Sequence, residues 1–517
     1  MDWLVSIAEF IVNEILAVPA YLIGIITAVG LIALRKSVGQ VIGGALKATL
    51  GFLLIGAGAS LVVKSLEPLG VMIQGAAGTQ GVVPTNEAIV GIAQNEYGAQ
   101  VAWLMILGFA ISLVLARFTP LRYVFLTGHH TLFMATLLTI VLATAGLNGA
   151  VVVALGGLLL GVVMVALPAI SQPWTKRITG DDTIAIGHFG TLGYIASGIT
   201  GRFVGGTKSR STEDLKLPES LRFLRDSMVA TALSMVLMYL AVALIYLNKV
   251  GRDTAFLAFA DDTGAGAAEN IGNYLMKGVT EGLSFGVAVA VILFGVRTIL
   301  GELVPAFQGI AERVVPGAVP ALDAPIVFPY AQNAVLIGFL SSFTAGLLGL
   351  AVLSWWLGPA FGWVLVLPGL VPHFFTGGAA GVYGNATGGR RGAIAGAFVN
   401  GLLITFLPAL LVQVLGSFGE ENTTFGDADF GWYGFLLGNA AKLGTVWGVV
   451  VMLLIGATLM TIAVAVQKRL VDTGWDAAPG RPAPVGGASG EPKVSGGRDY
   501  PKIAPPAGAP TPPPPPK

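Results

Sequence analysis

Apolar runs long enough to cross a lipid bilayer recur along the chain. Residues 99–116, 150–170 and 444–466 are clear examples. Inside hydrocarbon every backbone N–H and C=O has to be hydrogen-bonded within the protein, so only helices and closed barrels can span a membrane. A barrel would require short segments of alternating polarity, and the sequence has none. The pattern therefore predicts an all-α polytopic membrane protein.

The composition supports this class and excludes several kinds of function. Hydrophobic residues make up 54% of the 517 residues, charged residues make up 11%, and the net charge is +1. This balance gives no indication of nucleic-acid binding. The chain has no cysteine, so it can form no disulfide, thiolate metal ligand or thiol nucleophile. Its 72 glycines suit closely packed membrane helices and the non-helical backbone found in transporters.

Apolar windows predict most of the membrane spans directly. The predicted spans are residues 19–34, 38–63, 99–116, 132–146, 150–170, 228–247, 282–300, 334–357, 361–375, 392–414 and 444–466. Residues 3–16 are amphipathic and are predicted to lie at the membrane interface. Residues 69–97 mix glycine with polar residues, so they are predicted to form a re-entrant element or a loop.

The distribution of charge predicts the side on which each loop lies. Residues 171–226 form a hydrophilic insert with eight basic residues, which predicts the cytoplasmic side. Residues 183–204 within it are less polar and could dip back toward the membrane. The acidic loops around Asp253 and Asp427 are predicted to lie on the outer face. After a membrane domain of residues 1–466, the Pro- and Gly-rich residues 467–517 are predicted to be a disordered cytoplasmic tail.

Residues 303–333 are the strongest candidate for a functional segment. Their five prolines predict that no single continuous helix runs through them. They also carry Glu312, Arg313 and Asp323 in a chain with few charges. Broken backbone at membrane depth is tolerated where it is buried in protein or lines a wet cavity, and ionisable side chains there indicate a site. We predict that this segment lines a solute pathway.

Asp323 and the histidines are candidate contacts for a polar solute. Imidazole can donate and accept hydrogen bonds, and His129, His130, His188 and His373 all lie at glycine- or proline-rich breaks. Each could equally be a satisfied histidine near a helix end. Asp323 could accept hydrogen bonds from solute hydroxyls or take up a proton or cation, and it could also cap a half-helix.

The remaining polar residues carry weaker signals. Asn86 and Glu87 either line the pathway or are ordinary polar residues of a loop. Glu312 and Arg313 fit a structural role, as a buried ion pair or at a cytoplasmic helix end. The adjacent histidines lack the i, i+4 spacing of a helical metal site, so no metal is predicted. No phosphate-binding glycine motif follows a strand, so neither a nucleotide cofactor nor a nucleotide-driven transporter is expected.

Several short motifs together resemble a known family. They are LRKSV at residues 34–38, LTGH at 126–129, IGH at 186–188, EDLKLP at 213–218, VPGAV at 315–319 and FFTGGAAGVY at 374–383. This set resembles the ascorbate-type membrane component, EIIC, of the bacterial sugar phosphotransferase system, over residues 19–466. EDLKLP and the segment from Asp323 to Asn333 are the most specific motifs.

The resemblance implies an architecture and a reaction. It implies a homodimer whose chains have roughly eleven spans arranged as inverted repeats, with a dimerising V-motif part and a mobile core. It also implies a multi-pass protein of the bacterial inner membrane that takes up L-ascorbate or a related sugar acid. Uptake would be coupled to phosphorylation of that sugar acid by separate cytoplasmic EIIA and EIIB components. No phosphorylated catalytic residue is expected in this chain, because the chain has no cysteine.

The resemblance also assigns a set of solute-binding residues. They are Asn86, Glu87, His129, His130, Thr131, Leu132, Phe133, His188, Phe189 and Asp323. Two of them depart from the family pattern, since Phe133 and Phe189 stand where glutamines are usual. Loss of two amides leaves solute hydroxyls short of partners, so the resemblance supports the architecture better than the identity of the solute.

Three functions remain open at this point. The resemblance favours the phosphotransferase permease, in which an elevator movement of the core alternately exposes the solute to each side. An ion-coupled secondary transporter of a small polar or anionic solute would use Asp323 or a histidine as its proton or cation site, without phosphorylation. A non-transporting scaffold for partners of the proline-rich tail would leave the broken segments unexplained.

Overall fold

The computed structural model describes residues 19–215, 227–260 and 263–481. Its longer helices are α1 (Pro19–Ala33), α2 (Val38–Ala77), α3 (Asn86–Phe118), α4 (Gly128–Thr144), α5 (Gly149–Thr179), α6 (Thr191–Gly205), α7 (Ser227–Val250), α8 (Ile271–Val314), α9 (Gln332–Val352), α10 (Leu370–Leu411), α11 (Ala428–Ala441) and α12 (Thr445–Val466). Six short strands lie between them within these ranges: β1 (Gly81–Pro84), β2 (Tyr123–Phe125), β3 (Ala185–Ile186), β4 (Val319–Leu322), β5 (Leu365–Val366) and β6 (Thr423–Thr424).

The helices confirm the predicted class of an all-α polytopic membrane protein. Within the described ranges, eight helices are long and apolar enough to cross a membrane: α2, α3, α5, α7, α8, α9, α10 and α12. Two shorter apolar helices, Ile23–Ile32 within α1 and Gly128–Thr144 (α4), accompany them. The amphipathic segment predicted for residues 3–16 lies outside the described residues.

The helices fall into two groups. Helices α1, α2, α7 and α8 pack mainly on one another and form the four-helix bundle. Gly51 of α2 and Gly295 of α8 bring the two backbones together there, as small residues do at membrane helix interfaces. The other labelled helices form the helical body, in which α10 packs on α6 and α9.

The strands form two parallel sheets that join the two halves of the chain. One sheet has the order β5-β1-β6 and the other the order β2-β4-β3. Strand β1 pairs Val82 with Val366 and Val83 with Thr423, while β4 pairs Ala321 with both Phe125 and Ala185. Each central strand thus comes from one half of the chain and both of its neighbours come from the other half. An inverted repeat of the two halves would give this reciprocal pattern.

Each strand lies at a break between helices, where backbone N–H and C=O groups need hydrogen-bond partners from another segment. For example, Thr85 N donates to Thr424 O at 2.8 Å, and Gly187 N donates to Leu322 O at 2.7 Å. A Cβ on Gly187 would lie 2.5 Å from Ala321 O, so only glycine permits β3 to approach β4 this closely. The ladders therefore let extended backbone exist between membrane helices without unpaired polar groups.

The prediction of a loop or re-entrant element at residues 69–97 is wrong over most of its length. Helix α2 continues to Ala77 and α3 begins at Asn86, so only residues 78–85 are non-helical. Polar residues within α3 are accommodated by partners, since Gln94 Nε2 donates to Thr136 Oγ1 at 3.2 Å. A buried polar side chain with a partner does not prevent a helix from spanning a membrane.

The prediction that no single continuous helix runs through residues 303–333 is confirmed, but the helix predicted over residues 282–300 extends further into this stretch than expected. Helix α8 continues through Pro305 to Val314. A proline within a membrane helix is tolerated when neighbouring groups satisfy the freed carbonyl. The break begins after Val314, where β4 leads to the 3₁₀ helix Ala324–Tyr330 and then to α9.

Two other boundaries differ from the sequence prediction. Residues 361–375 do not form one span, because Gly362 has φ +69° and the chain then runs extended through β5 until α10 begins at Leu370. Residues 467–481 belonged to the predicted tail, yet the structure gives them a helical turn at Gln467–Val471 and hydrogen bonds to the body. One of these joins Arg177 Nη2 to Arg481 O at 2.6 Å. Residues 482–517 lie outside the described part of the chain.

The close approach of α9 and α10 generates a stability prediction. A Cβ on Gly381 would lie 2.8 Å from Gly338 Cα and would also meet the Ala334 carbonyl. We expect Gly381→Ala to destabilise the protein by about 1–3 kcal/mol through overpacking. Gly43→Ala in α2 is the matched control, because nothing lies within 4 Å of its Cβ position. Thermal unfolding of both variants in detergent checks this, and an unchanged melting temperature for Gly381→Ala would contradict it.

Candidate functional site

The candidate site forms where five of the six strands end. Parallel strands bring the residues that follow them to the same edge of a sheet. Asn86 follows β1, His129 and His130 follow β2, His188 follows β3, Asp323 follows β4, and Asp427 follows β6. The topology thus brings together residues separated by up to 341 positions in sequence, as the hydrogen bond between Asn86 and Asp427 shows.

Asp323 lies between two of the histidines. Its Oδ2 is 3.4 Å from His129 Nε2, and its Oδ1 is 4.0 Å from His188 Nε2. The Asp323 side chain is 38% exposed, so it remains accessible to a solute. Asp323 Oδ1 also accepts a hydrogen bond from Ala324 N at 2.7 Å and caps the 3₁₀ helix. The two roles predicted for this residue are therefore both compatible with its geometry.

His130 and His188 form the buried side of the site. Their ring centroids are 3.8 Å apart. The Tyr194 hydroxyl, 2.9 Å from His188 Nδ1, orients that ring so that Nε2 faces Asp323. His130 Nδ1 is buried and has no hydrogen-bond partner among the described residues. A buried polar nitrogen without a partner is costly unless something binds to it, which makes His130 a candidate contact for a solute.

A second polar cluster contains a carboxylate that the sequence reasoning missed. Asn86 Nδ2 donates to Asp427 Oδ2 at 2.8 Å, and Gly426 N donates to Asn86 Oδ1 at 2.8 Å. Asp427 was predicted to lie in an acidic outer loop, yet its side chain is buried. One nitrogen each of His130 and His188 and one oxygen of Asp427 lie within 4.8 Å of one another. Asp427 therefore lies beside the predicted site histidines and is a further candidate.

Asp429 has a different role from Asp427. Its carboxylate accepts hydrogen bonds from Thr191 N at 2.6 Å, Leu192 N at 3.0 Å and Trp432 Nε1 at 2.9 Å. The carboxylate thus occupies the N-terminus of α6, where the helix dipole favours negative charge. Asp429 fixes the helix that follows His188. The signal available in the sequence was the apolar aromatic run after it, FGWYGFLL at residues 430–437, which indicates burial.

The two phenylalanines that replace expected glutamines lie behind the imidazoles. The Phe189 ring is fully buried and stacks on Phe125 at a centroid distance of 5.0 Å. Phe133 is buried too, with its centroid 5.7 Å from the rings of both His129 and His130. Phe430 stacks on His130 at 6.0 Å. These rings form an apolar wall that holds the imidazoles in place.

The other predicted site residues occupy varied positions. Thr131 Oγ1 bonds to Thr127 O at 3.2 Å within its own helix, and Leu132 points into a small apolar cavity beside the four-helix bundle. Glu87 lies in the first turn of α3, next to Asn86. His373, a weaker candidate, is remote from Asp323 in its contacts and bonds Ser342 Oγ through Nδ1 at 2.8 Å. It is a satisfied histidine between α9 and α10.

Two groups of side chains have the donor types of a metal site. These groups are His129, His130 and Asp323, and His130, His188 and Asp427. Sequence spacing alone gave no ligand set, because the carboxylates reach the histidines only through the fold. The same nitrogen and oxygen atoms can also donate to and accept from the hydroxyl groups of a small polar solute.

The two most specific motifs of the resemblance contact each other beside the site. Glu213 of the EDLKLP motif accepts hydrogen bonds from Asn333 N at 3.2 Å and Ala334 N at 3.1 Å. Asn333 Nδ2 in turn donates to Thr212 O at 3.1 Å and Leu215 O at 2.6 Å. The motif therefore caps the N-terminus of α9, immediately after the segment that carries Asp323.

Comparison with known proteins agrees with these motifs. A profile of the family described as "EIIC-GAT: PTS system sugar-specific permease component" matches residues 14–429. The chain is also 30% identical, over 424 residues, to the "Ascorbate-specific PTS system EIIC component" of Mycoplasma pneumoniae (strain ATCC 29342 / M129 / Subtype 1). That match covers 75% of this chain and 64% of the relative. The chain thus spans less than two thirds of the relative's length.

The role of Asp429 leads to a prediction about stability. We expect Asp429→Asn to lower the free energy of unfolding by about 1.5–3 kcal/mol, because an amide replaces the charge-assisted bonds at the α6 N-terminus. Asp253→Asn, at an exposed position, should change stability by less than about 0.5 kcal/mol. Thermal unfolding followed by size-exclusion chromatography makes the comparison. Equal melting temperatures for the two variants would show that Asp429 does not hold α6.

Proposed function

Since the chain belongs to the family of sugar-specific permease components of the phosphotransferase system, we propose that it carries L-ascorbate or a related sugar acid across the bacterial inner membrane. Uptake is coupled to phosphorylation of the solute by separate EIIA and EIIB components. The name and the 30% identity of the mycoplasma relative support this solute class. The observation that carries the proposal is the position of Asp323 between His129 and His188 at the ends of three paired strands.

The chemistry of the site suits a polyhydroxylated acid. Asp323 and Asp427 accept hydrogen bonds from hydroxyl groups, while the imidazoles of His129, His130 and His188 can donate or accept. Helices α3 and α4 begin at the site, and the positive ends of their dipoles favour an anion. Of the ten residues named in the sequence analysis, we assign direct solute contacts to Asn86, Glu87, His129, His130, His188 and Asp323, and we add Asp427 to them. Thr131, Leu132, Phe133 and Phe189 contribute through the packing that holds these groups in place.

Asp427 can supply a hydrogen-bond acceptor in place of the two glutamines that are usual in the family. One of its oxygens accepts from Asn86, and the other accepts no hydrogen bond within the described part of the chain. That oxygen, together with the unpartnered Nδ1 of His130, provides one acceptor and one further polar contact beside the apolar wall of Phe133 and Phe189. We propose that these two groups bind the solute hydroxyls that the amides bind in relatives.

Transport follows from the division into two helix groups. The four-helix bundle is the dimerising scaffold in the lipid, and the helical body carries the solute past it as a rigid unit, which opens the site to each side in turn. We place the C-terminal end of α5, residues 206–215 and the C-terminal tail on the cytoplasmic side, where the phosphoryl carriers bind. Strand β3, His188 and α6, which lie within the predicted 171–226 insert, belong to the helical body. Phosphorylation takes place on the solute, and this chain acts as the transport subunit.

The decisive experiment measures uptake and identifies the product. Vesicles that contain the protein receive labelled ascorbate with and without the phosphoryl donor and the EIIA and EIIB components. We expect accumulation that requires these components, with the label recovered as a phosphate ester inside. Uptake of unmodified ascorbate driven by an ion gradient alone would contradict the proposal and would favour the secondary transporter.

Removal of the central polar groups tests the site assignment. Asp323→Asn and His188→Ala should each weaken ascorbate binding about 10- to 100-fold, because each removes a hydrogen bond to a charged or partly buried group worth about 1.5–3 kcal/mol. Binding is measured by isothermal titration calorimetry on the purified protein. Asp253→Asn serves as the control with the same change in charge. If both site variants bind ascorbate like the parent, the assignment is wrong.

A further inference from the structure

Three buried side chains at the solute site have the composition of a transition-metal site. One nitrogen each of His130 and His188 and one carboxylate oxygen of Asp427 lie within 4.8 Å of one another. Each of these residues is at most 4% exposed. Two imidazoles and one carboxylate bind zinc and related divalent ions. The sequence predicted no metal because the adjacent histidines lack helical ligand spacing, whereas in the structure the three ligands follow three different strands.

The separation of the donor atoms is close to that of a coordination sphere. Zinc–ligand bonds of about 2.0–2.1 Å place the donors of a tetrahedral site about 3.4 Å apart. The donors therefore have to move from within 4.8 Å to about 3.4 Å of one another. The rings of His130 and His188 are already in contact, with centroids 3.8 Å apart. A change of this size is within the reach of side-chain rotation.

Neighbouring groups orient two of the three ligands. The Tyr194 hydroxyl lies 2.9 Å from His188 Nδ1, which leaves Nε2 of that ring for an ion. Asn86 Nδ2 donates to Asp427 Oδ2 at 2.8 Å, and Oδ1 accepts no hydrogen bond from the described residues. Histidines and carboxylates that bind metals usually have such partners on the atom that does not face the ion. The free atoms of both side chains are therefore held in place, as a metal site requires.

The third ligand, His130, has a buried nitrogen without a partner. Its Nδ1 forms no hydrogen bond within the described part of the chain. Phe133 and Phe430 lie against the ring at centroid distances of 5.7 and 6.0 Å, and neither can supply a hydrogen bond. A buried polar atom without a partner costs about 1–3 kcal/mol. A metal ion bound at this nitrogen would remove that cost in molecules that hold no solute.

The charges around the cluster favour a cation. The residues named above at the strand ends include the carboxylates of Asp323 and Asp427 and no lysine or arginine. Asp323 Oδ1 lies 4.0 Å from His188 Nε2, the nitrogen that Tyr194 leaves free. Carboxylates this close attract a divalent ion strongly where water is largely excluded. The part-exposed side chains of His129 and Asp323 border the buried cluster, so an ion can reach it from that side.

We propose that His130, His188 and Asp427 bind a divalent transition metal ion, for which zinc is the best match, when the site holds no solute. The ion and the solute exclude each other, because the ion uses the nitrogen and oxygen lone pairs that would otherwise accept hydrogen bonds from solute hydroxyls. The metal site rests on the geometry of the three side chains, whereas its competition with the solute rests on the proposed function. Zinc therefore occupies the empty site and inhibits uptake.

A cluster that serves only to contact the solute makes a different prediction. Zinc would then bind no better than it binds to scattered histidines and carboxylates, and no single variant would remove the binding. The chain suits this comparison, because it has four histidines and no cysteine. His373 provides the matched control, since it is a buried histidine whose Nδ1 bonds Ser342 Oγ at 2.8 Å, away from the cluster.

The test titrates zinc into the purified full-length protein, freed of any affinity tag, and follows binding by isothermal titration calorimetry. We expect one ion per chain with a dissociation constant of about 1 μM or tighter. Asp427→Asn and His130→Gln each remove a ligand and should weaken zinc binding at least about 100-fold. Tyr194→Phe releases His188 and should weaken zinc binding about tenfold. His373→Gln should bind zinc as the parent does.

Cobalt keeps the test decisive if a ligand variant fails to fold. A Co²⁺ ion held by nitrogen and oxygen ligands in a four-coordinate site absorbs visible light much more strongly than hydrated Co²⁺. We expect these absorption bands when Co²⁺ is added to the parent, and we expect zinc to abolish them. A spectrum of hydrated Co²⁺ alone would overturn the metal site. So would a parent that binds no zinc, or one whose zinc affinity is shared by both folded ligand variants.

Ascorbate tests the competition. Saturating ascorbate should raise the apparent dissociation constant of zinc at least about tenfold, and zinc should weaken ascorbate binding by the same factor, because linkage is reciprocal. Titration of zinc into ascorbate without protein corrects for their direct binding. Zinc affinity that is unchanged or higher with ascorbate present would overturn the competition. A parent that binds zinc but no ascorbate would overturn the proposed function and leave the metal site standing.

Discussion

The need to hydrogen-bond every backbone group inside a membrane governs this structure. A solute site requires extended backbone at the ends of helices, and extended backbone leaves N–H and C=O groups without partners. In the described part of the chain, six short strands in two parallel sheets pair those groups, as in the bonds from Leu367 N to Val82 O and from Val319 N to Arg122 O. The sheets also decide which residues meet, because each strand delivers the residue that follows it to a common edge. The polar candidate site therefore results from the strand pairing that provides hydrogen-bond partners for the backbone at the helix breaks.

The sequence predicted the class and most of the spans, and several of its predicted solute contacts lie together in the structure. Long apolar runs define membrane helices directly, and Asp323 stood out because charges are rare here. The failures have a common physical cause. Local polarity was taken as evidence against helix at residues 69–97 and as evidence for an acidic outer loop around Asp427. Gln94 and Asp427 are in fact buried, with polar partners supplied by distant parts of the chain. The span predicted for residues 282–300 likewise ended too early, because the helix continues through Pro305 to Val314. Long-range pairing decides such cases, and a single sequence does not display it.

The family match and the site geometry answer different questions about the protein, the first about its family and the second about solute binding. The match over residues 14–429 establishes the family, and the geometry indicates which atoms are free to bind a solute. Phe133 and Phe189, which depart from the family pattern, turn out to pack behind His130. The apolar wall and the carboxylate of Asp427 suggest that this protein binds solute hydroxyls with other atoms than the glutamine amides that are usual in the family.

A map of the protein with ascorbate bound tests the central claim most directly. The account predicts that the bound ascorbate lies within hydrogen-bonding distance of Asp323. The imidazoles of His129, His130 and His188 should contact the same ascorbate molecule, at the ends of the paired strands. Density for ascorbate elsewhere, or an Asp323 side chain that faces bulk solvent away from both histidine-bearing turns, would contradict it.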